Sequence, residues 1–308
     1  MAGIIESVPN VSEGRRRDII EAIAAAFGAP AGTHLLDVSS DPSHNRTVLT
    51  AIGDARALEE SSLRLFEASL SRIDLRYHQG QHPRMGAVDV LPFVPLQGAT
   101  MAECIRLARR VAERVASRFD LPVFLYEEAA QQKGRSDLAL IRKGQFEGLA
   151  AKLKAPFWKP DFGPARPHPS AGASAIGARK VLIAFNVELA TDRIEIAKAI
   201  ARKVRASSGG LPCVKALGLY LADRQHAQIS MNLTDYRTTS MLTVFEHICS
   251  EAERLGAEVA GSEIVGLVPR DALPEDPIRA LKLLDFEEDK VLEVNAKKKL
   301  GAESPPPD

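Results

Sequence analysis

The order of the predicted strands and helices constrains the fold of this chain more than any other feature. Short apolar segments alternate with longer ones whose apolar residues recur every three to four positions, in the order strand, helix, strand, strand, helix, strand. This is the order of the split β-α-β sandwich called ferredoxin-like, in which helices cover an antiparallel sheet. The sequence therefore predicts an α+β fold.

The same order occurs twice, which predicts an internal duplication of one ferredoxin-like (βαββαβ) sandwich. In the first half the predicted strands are 4–8, 33–38, 46–52, 87–94 and 123–126, and the predicted helices are 18–27, 55–73, 101–119 and 136–153. Polar turns are expected at 9–15 and 39–45. In the second half the predicted strands are 180–189, 214–221, 227–232 and 258–268, and the predicted helices are 194–205, 241–255 and 277–284.

A segment rich in proline, 156–178, separates the halves. It contains Trp158, the only tryptophan of the chain, with Phe157 and Phe162 beside it. Because a flexible linker seldom carries such side chains, we expect an ordered connector that lines a cleft. The predicted domains are residues 1–178, which include this connector, and residues 179–300; residues 301–308 are expected to form a disordered tail.

Composition excludes several functional classes. Lys plus Arg and Asp plus Glu number 40 each, so net charge indicates neither nucleic acid nor an anionic membrane as partner. The three cysteines are far apart and suit a reducing cytoplasm. Neither a targeting segment nor an apolar run of membrane-spanning length is present. Glycine-rich phosphate loops and a Gly-x-Ser-x-Gly motif are absent as well, so the sequence predicts a cytoplasmic protein of another class.

The segment 77–87 is the strongest candidate for chemistry. It holds two histidines and an arginine, and its glycines and proline are too dense for a helix. His82 is the candidate general acid/base, because imidazole titrates near neutral pH. Arg84 is suited to grip a carboxylate, and Gly86 to let backbone approach a ligand. His78 and His82 lack the further ligands that a metal requires, so no metal is expected.

Two other polar stretches remain open between a surface role and a binding role. Residues 39–47 combine donors and acceptors in what is otherwise an ordinary turn. Residues 228–232 alternate polar and apolar side chains, as a half-buried strand does, and the polar ones either line a cleft or meet water.

Taken together, a series of short motifs resembles the formiminotransferase domain of formiminotransferase-cyclodeaminases and its free-standing bacterial relatives. The match covers nearly the whole chain in order, and its specificity lies in that joint order. The matching stretches are 8–14, 35–38, 45–47, 80–87, 160–164, 177–180, 184–186, 227–233 and 266–269.

The resemblance implies a homodimeric enzyme of two α+β subdomains with a ligand tunnel between them. The implied reaction is transfer of a formimino group from N-formimino-L-glutamate to N5 of tetrahydrofolate, the co-substrate, whose tail is possibly polyglutamylated. The family's catalytic histidine falls on His82. Residues expected to bind substrate are Asn10, Asn45, Arg46, Arg84, Gly86, Gln228 and Asn232. Those expected to contact folate are Gly163, Pro164, Ala165, Arg166, Pro167, His168, Pro169, Ser170, Ala171 and Gly172.

Three positions depart from the family pattern. Ser39 stands where an acidic residue commonly follows Leu-Leu-Asp-Val, Gln81 stands where Glu usually precedes the histidine, and Ala171 stands where a tryptophan is common. If the missing carboxylate normally supports the histidine, His82 would need Asp37 or Asp41 instead. These departures leave two alternatives open: formyl transfer from N-formylglutamate, and a folate-binding protein with little catalysis.

Overall fold

The computed structural model describes residues 3–132, 134–221 and 224–301. The chain divides into two compact units, Met1–Arg179 and Lys180–Asp308. Both mix helices with a sheet, so the predicted α+β class is confirmed. No helix within the described ranges is long and apolar enough to span a lipid bilayer.

The first unit contains strands and helices whose bounds agree with most of the predicted ones. In chain order they are β1 (Ile5–Ser7), β2 (Asn10–Val11), α1 (Arg17–Gly28), β3 (Thr33–Asp41), β4 (Arg46–Gly53), α2 (Ala55–Leu70), β5 (Val88–Pro95), α3 (Met101–Phe119), β6 (Val123–Glu127), α4 (Leu138–Arg142), α5 (Gln145–Lys152) and β7 (Ser174–Ala178).

The sheet of this unit runs in the order β3-β4-β1/β2-β5-β7-β6, with β1 and β2 as two pieces of one position between β4 and β5. β7 pairs parallel to both β5 and β6, and the other pairings are antiparallel. One face packs against α1, α2 and α3 through a large apolar core. Alternate side chains point the opposite way, where Val90 and Phe124 pack against Ile141 of α4 and Leu149 of α5.

The second unit is a smaller sandwich. Its elements are β8 (Ile183–Leu189), α6 (Ile194–Val204), β9 (Val214–Leu221), β10 (His226–Leu233), α7 (Met241–Arg254), β11 (Val259–Val265), α8 (Pro277–Leu281) and α9 (Leu292–Gly301). The sheet is antiparallel in the order β11-β8-β10-β9. Phe185, Ile229 and their neighbours pack against Ile200 of α6 and Val244 of α7.

Four strands of each unit occupy the same relative places. In chain order these strands are β1/β2, β3, β4 and β5 in the first unit, and β8, β9, β10 and β11 in the second. Each of these sets of four runs second, third, first, fourth across its sheet. The first unit then adds β6 and β7 beyond β5.

Several predicted elements were wrong in extent. The segment 136–153 is not one helix but two short ones, α4 and α5, and the turn predicted at 39–45 begins only after β3 ends at Asp41. The turn predicted at 9–15 contains β2, and the connector 156–178 ends in β7, an interior strand. Helix α9 was not predicted, and residues 302–308 of the predicted tail lie outside the described part of the chain.

Candidate active site

The hairpin turn between β3 and β4 meets the loop that follows α2 at one end of the first sheet, and the two enclose a pocket. The Gln81 amide donates to the Ser43 carbonyl oxygen (3.2 Å), which joins the hairpin to the loop. The residues that line the pocket are Val11, Ser12, His44, Asn45, Arg46, His78, His82, Arg84 and Asp89. His82, Arg84, Asn45 and Arg46 of the predicted site are therefore brought together.

His82 is half-buried in this pocket. Burial, and after it the positive charges of Arg46 and Arg142, hold the pKa of the His82 imidazole far below its usual range. The ring is therefore neutral at physiological pH and has a lone pair available to take a proton. A neutral imidazole in a pocket is the state that a general base needs before reaction.

His78, the other histidine of the loop, has both ring nitrogens engaged. Its Nε2 donates to the Asn45 carbonyl oxygen (2.9 Å), and its Nδ1 accepts from Arg84 Nε (3.2 Å). Burial lowers the pKa of His78, although the bond to Asn45 opposes this shift. His78 is thus a neutral side chain that holds Asn45 and Arg84 in place.

Arg84 is buried and paired within the protein. Its two terminal nitrogens donate to the Glu147 carboxylate at 2.7 and 2.8 Å, with Glu147 at the start of α5. The sequence predicted that Arg84 grips a substrate carboxylate, but in the structure this guanidinium already holds one. Glu147 was missed, because nothing in the local sequence relates it to a residue so far away in the chain.

Arg46 has the opposite environment. Its Nε is buried and has no hydrogen-bond partner among the described residues. Burial and then the charge of Arg142 lower the pKa of the guanidinium to about 10, and Asp41 and Asp89 partly offset this. Arg46 is therefore still charged at neutral pH, and it is placed to bind an anion that enters the pocket.

Asp89 and Arg142 hold the loop of His82 through hydrogen bonds, and the sequence did not predict this contact either. Asp89 Oδ1 accepts from the amides of Met85 (2.7 Å) and Gly86 (3.2 Å), and its Oδ2 accepts from Arg142 Nε (2.7 Å). The pair fixes the end of the loop that carries His82. Among the described residues, no group of three or more His, Cys, Asp or Glu side chains is arranged to hold a metal ion.

Asn45 joins three segments rather than facing the pocket with a free amide. Its Oδ1 accepts from the Gly14 amide (2.9 Å), and its Nδ2 donates to the Gln79 carbonyl oxygen (2.9 Å). Asn10 of β2 bonds only locally, to the Val8 carbonyl oxygen (3.3 Å). These contacts give both asparagines a structural part.

The remaining predicted substrate residues, Gln228 and Asn232, belong to β10 of the second unit. Gln228 is buried, and its Nε2 donates to Glu263 (3.3 Å), while its Oε1 has no partner among the described residues. Asn232 is exposed.

The predicted folate segment, 163–172, is bound to the loop of His82 by backbone. The Ser170 and Ala171 carbonyl oxygens accept from the amides of Leu75 (2.8 Å) and Ala87 (3.0 Å). His168 and Gly172 exchange two backbone hydrogen bonds that close a tight turn. Residues 163–170 of this segment are exposed or half-exposed, whereas residues 171–172 are buried.

Two glycines explain how closely these segments approach. A Cβ on Gly86 would lie 2.1 Å from the Ala173 carbonyl oxygen, and a Cβ on Gly172 would lie 2.0 Å from that of Met85. Gly172 also has a φ of +70°, which an L side chain rarely adopts. The structure therefore gives Gly86 a packing role, whereas the sequence predicted a contact with ligand.

The positions that depart from the family pattern have separate environments. Ser39 donates to Asp37 (2.7 Å), Gln81 is exposed, and the Ala171 side chain is buried in the large core. Asp41 accepts from the ring of His44, not from His82. Neither of the two aspartates proposed as substitutes bonds to His82 in the described residues.

Two family models together match nearly the whole chain. A model of the formiminotransferase domain's N-terminal subdomain matches residues 4–179, and a model of the formiminotransferase domain matches residues 184–304. Glutamate formimidoyltransferases of Streptococcus pyogenes serotype M1 and Thermoplasma acidophilum are 45% and 46% identical, over 93% and 97% of this chain and 96% and 99% of their own lengths.

The Sus scrofa formimidoyltransferase-cyclodeaminase is 46% identical over 89% of this chain and 51% of its own length. The chain therefore spans about half of that longer protein. With both family models matched in order and relatives this similar over nearly full length, the chain belongs to the formiminotransferase family.

Proposed function

We propose that this protein is a glutamate formiminotransferase, which moves the formimino group of N-formimino-L-glutamate to N5 of tetrahydrofolate. Two relatives named glutamate formimidoyltransferase, 45% and 46% identical over almost the full chain, support the proposal. The observation that carries it is the pocket itself, which is lined by a neutral imidazole, His82, and by Arg46, whose Nε has no hydrogen-bond partner among the described residues.

His82 serves as the base in this reaction. As N5 bonds to the formimino carbon, that nitrogen becomes cationic and must lose its proton. His82 is neutral and has no hydrogen bond to its ring nitrogens among the described residues, so it accepts this proton without first breaking another contact. The cost of burying an imidazolium beside two arginines falls once a substrate carboxylate occupies the pocket.

Arg46, rather than Arg84, binds a carboxylate of formiminoglutamate in this proposal. Arg84 is already neutralised by Glu147, whereas Arg46 has no ion pair among the described residues. Half-buried guanidinium–carboxylate pairs give both orientation and affinity, and two bonds from one fork fix the substrate's position. The charge needed to bind a dianionic donor is therefore local, despite zero net charge of the chain.

We further infer the finer features that family resemblance implies. These are a duplication of one ferredoxin-like sandwich in domains 1–178 and 179–300, a ligand tunnel between them, and a connector whose residues 163–172 contact folate. The shared relative order of four strands in each sheet supports the duplication. The backbone bonds of 170–171 to the His82 loop support a connector close to the reaction. A cytoplasmic homodimer without metal belongs to the same proposal.

The test is a donor assay on the purified protein. Formiminoglutamate should be consumed only when tetrahydrofolate is present, with glutamate released in equal amount and the cyclised folate product detected by absorbance. N-formylglutamate is assayed beside it. Faster turnover of the formyl donor, or binding of folate with no release of glutamate, would contradict the proposal.

A further inference from the structure

A second histidine in the pocket has the contacts of an acid–base group. His44 lies in the β3–β4 hairpin turn, and its ring Nδ1 is 2.6 Å from Asp41 Oδ2. Asp41 Oδ1 also accepts from the His44 backbone amide (2.9 Å). Because a carboxylate oxygen accepts, Nδ1 is the donor, and the position of the other ring nitrogen, Nε2, is thereby fixed.

The free nitrogen of His44 is buried and has nothing to bond with. His44 is 7% exposed, and its Nε2 has no hydrogen-bond partner among the described residues. A buried polar atom without a partner is costly, and its presence in a pocket points to a ligand atom that completes it. His44 lines the same pocket as His82, and the two rings stand edge to face with centroids 6.2 Å apart.

The charged and titratable groups that face His44 come from both sides of the pocket. Asp41 bonds to it within the hairpin, Arg46 follows at the start of β4, and His82 faces it from the opposite loop. Burial raises the pKa of Asp41, but the bonds from His44 outweigh it and lower this pKa to about 2. Asp41 is therefore ionised at neutral pH, and its carboxylate holds the His44 ring through Nδ1.

We propose that His44, held by Asp41, is a second catalytic group that donates a proton from Nε2 to the departing glutamate nitrogen. This rests on the proposed function. The bond between N5 and the formimino carbon forms, and the N5 proton goes to His82. The bond from that carbon to the glutamate nitrogen breaks, and its electron pair takes the proton of His44. Afterwards His82 gives up one proton and His44 regains one, so both rings return to their starting states.

With two rings, one group accepts the N5 proton and another donates a proton to the leaving nitrogen. A single imidazole must reach N5 first and the glutamate nitrogen afterwards. His82 and His44 line one pocket with ring centroids 6.2 Å apart, so in this proposal each nitrogen of the tetrahedral adduct has its own proton-transfer group.

The main test is the His44→Asn variant. The Asn amide keeps a donor toward Asp41 but has no atom at the place of Nε2. We expect kcat to fall by about 10²-fold with KM for both substrates changed less than about threefold, since acid–base groups contribute 10²–10⁴. The alkaline limb of the kcat–pH profile, which reports loss of the acid, should disappear, and the acid limb should remain.

Asp41→Asn provides a second variant that leaves the His44 ring in place. Without the carboxylate, the His44 ring loses the partner that holds it, so kcat at pH 8 should fall several-fold with KM for both substrates changed less than about threefold. His247→Asn, an exposed histidine on α7, is the matched control and should behave as wild type. If His44→Asn does not fold, the effect of Asp41→Asn on kcat and KM decides the question alone.

The outcomes separate this proposal from the one on which it rests. A wild-type protein that transfers no formimino group overturns both. If the wild type is active and His44→Asn has wild-type kcat and an intact alkaline limb, only the proposed role of His44 is overturned. A fall in kcat accompanied by lost thermal stability and an unchanged pH profile assigns His44 a structural part and also overturns it.

Discussion

Two arginines of the first unit, the buried Arg135 and the half-buried Arg46, differ in whether they form an ion pair with a carboxylate. Arg135 donates to Asp161 (2.6 Å) and to the Phe157 carbonyl oxygen (3.3 Å), and its guanidinium lies over the Phe124 ring. Arg46, by contrast, makes no ion pair among the described residues, and its Nε there has no hydrogen-bond partner. A buried charge that is already paired holds the fold together, whereas one left unpaired is available to a ligand.

The connector shows what the paired arginine does. Asp161, which Arg135 binds, also accepts from the Leu125 amide of β6 (2.8 Å). The start of the proline-rich connector is thereby tied to the sheet, and its end is β7. The pocket of His82, by contrast, is lined by two side chains with a buried nitrogen that has no hydrogen-bond partner among the described residues, His44 Nε2 and Arg46 Nε.

The largest effect is expected at His82. His82→Asn should lower kcat by about 10²–10⁴-fold, because it removes the base while the loop stays fixed by Asp89 and Asn45. Steady-state kinetics with both substrates measures it, and circular dichroism checks that the variant is folded. Wild-type kcat in a folded variant would remove His82 from the mechanism.

The next largest effect tests the paired arginine. Arg135→Met should destabilise the protein by about 3–5 kcal/mol, since Asp161 is then left buried without its partner. Urea unfolding measures the change. Turnover of the protein that remains folded should be close to wild type. A large loss of kcat with unchanged stability would contradict the assignment of Arg135 to stability rather than to function.

Arg46→Met is expected to show the reverse pattern. KM for formiminoglutamate should rise about 10- to 100-fold, the effect of one charge-assisted hydrogen bond or two, with little loss of stability because no carboxylate is stranded. Arg17→Met, at an exposed i,i+4 pair of α1, is the control for removal of a charge. An unchanged KM would mean that another residue binds the substrate carboxylate, and Arg84 would be the first candidate.

The smallest expected effect is on how the stability of the folded protein depends on pH. The pKa of His82 is lowered in the folded state, so below about pH 6.5, its unfolded value, the unfolded chain takes up a proton that the folded one does not. Stability is therefore lost as pH falls through that value. His82→Asn should lose less stability than wild type between pH 7.5 and 5.5 in urea titrations. Parallel losses in the two proteins would contradict the shift.

Local sequence was sufficient for elements that carry their own signals. The predicted helix 101–119 matches α3, because its apolar period is regular and Thr100 and Glu103 form a capping box (Thr100 amide to Glu103 Oε2, 2.7 Å). The strand at 214–221 was likewise confirmed. In contrast, β7 has the sequence Ser-Ala-Ile-Gly-Ala, whose small residues resemble a loop, and only its place between β5 and β6 makes it a strand.

For the site, the sequence predicted the loop and His82, and the structure places His82 in a pocket. The contacts made by the residues around it depend on the fold. Glu147 and Asp89 decide that Arg84 and Arg142 are paired, and no local pattern relates these residues. The Asp41–His44 pair is different, since its members are three apart in one turn. A histidine three residues after an aspartate in a hairpin turn is a local signal, and the sequence alone was sufficient to predict this pair.

Two stretches of main chain cross in close contact at Gly86 and Gly172, and this crossing has a mechanical consequence. Where these chains pass, no side chain lies between them, so there is no rotamer to absorb a displacement. Any shift of the connector is transmitted to the segment of His82 as movement of main chain against main chain. Displacement of one chain at this crossing therefore moves the backbone that leads to His82.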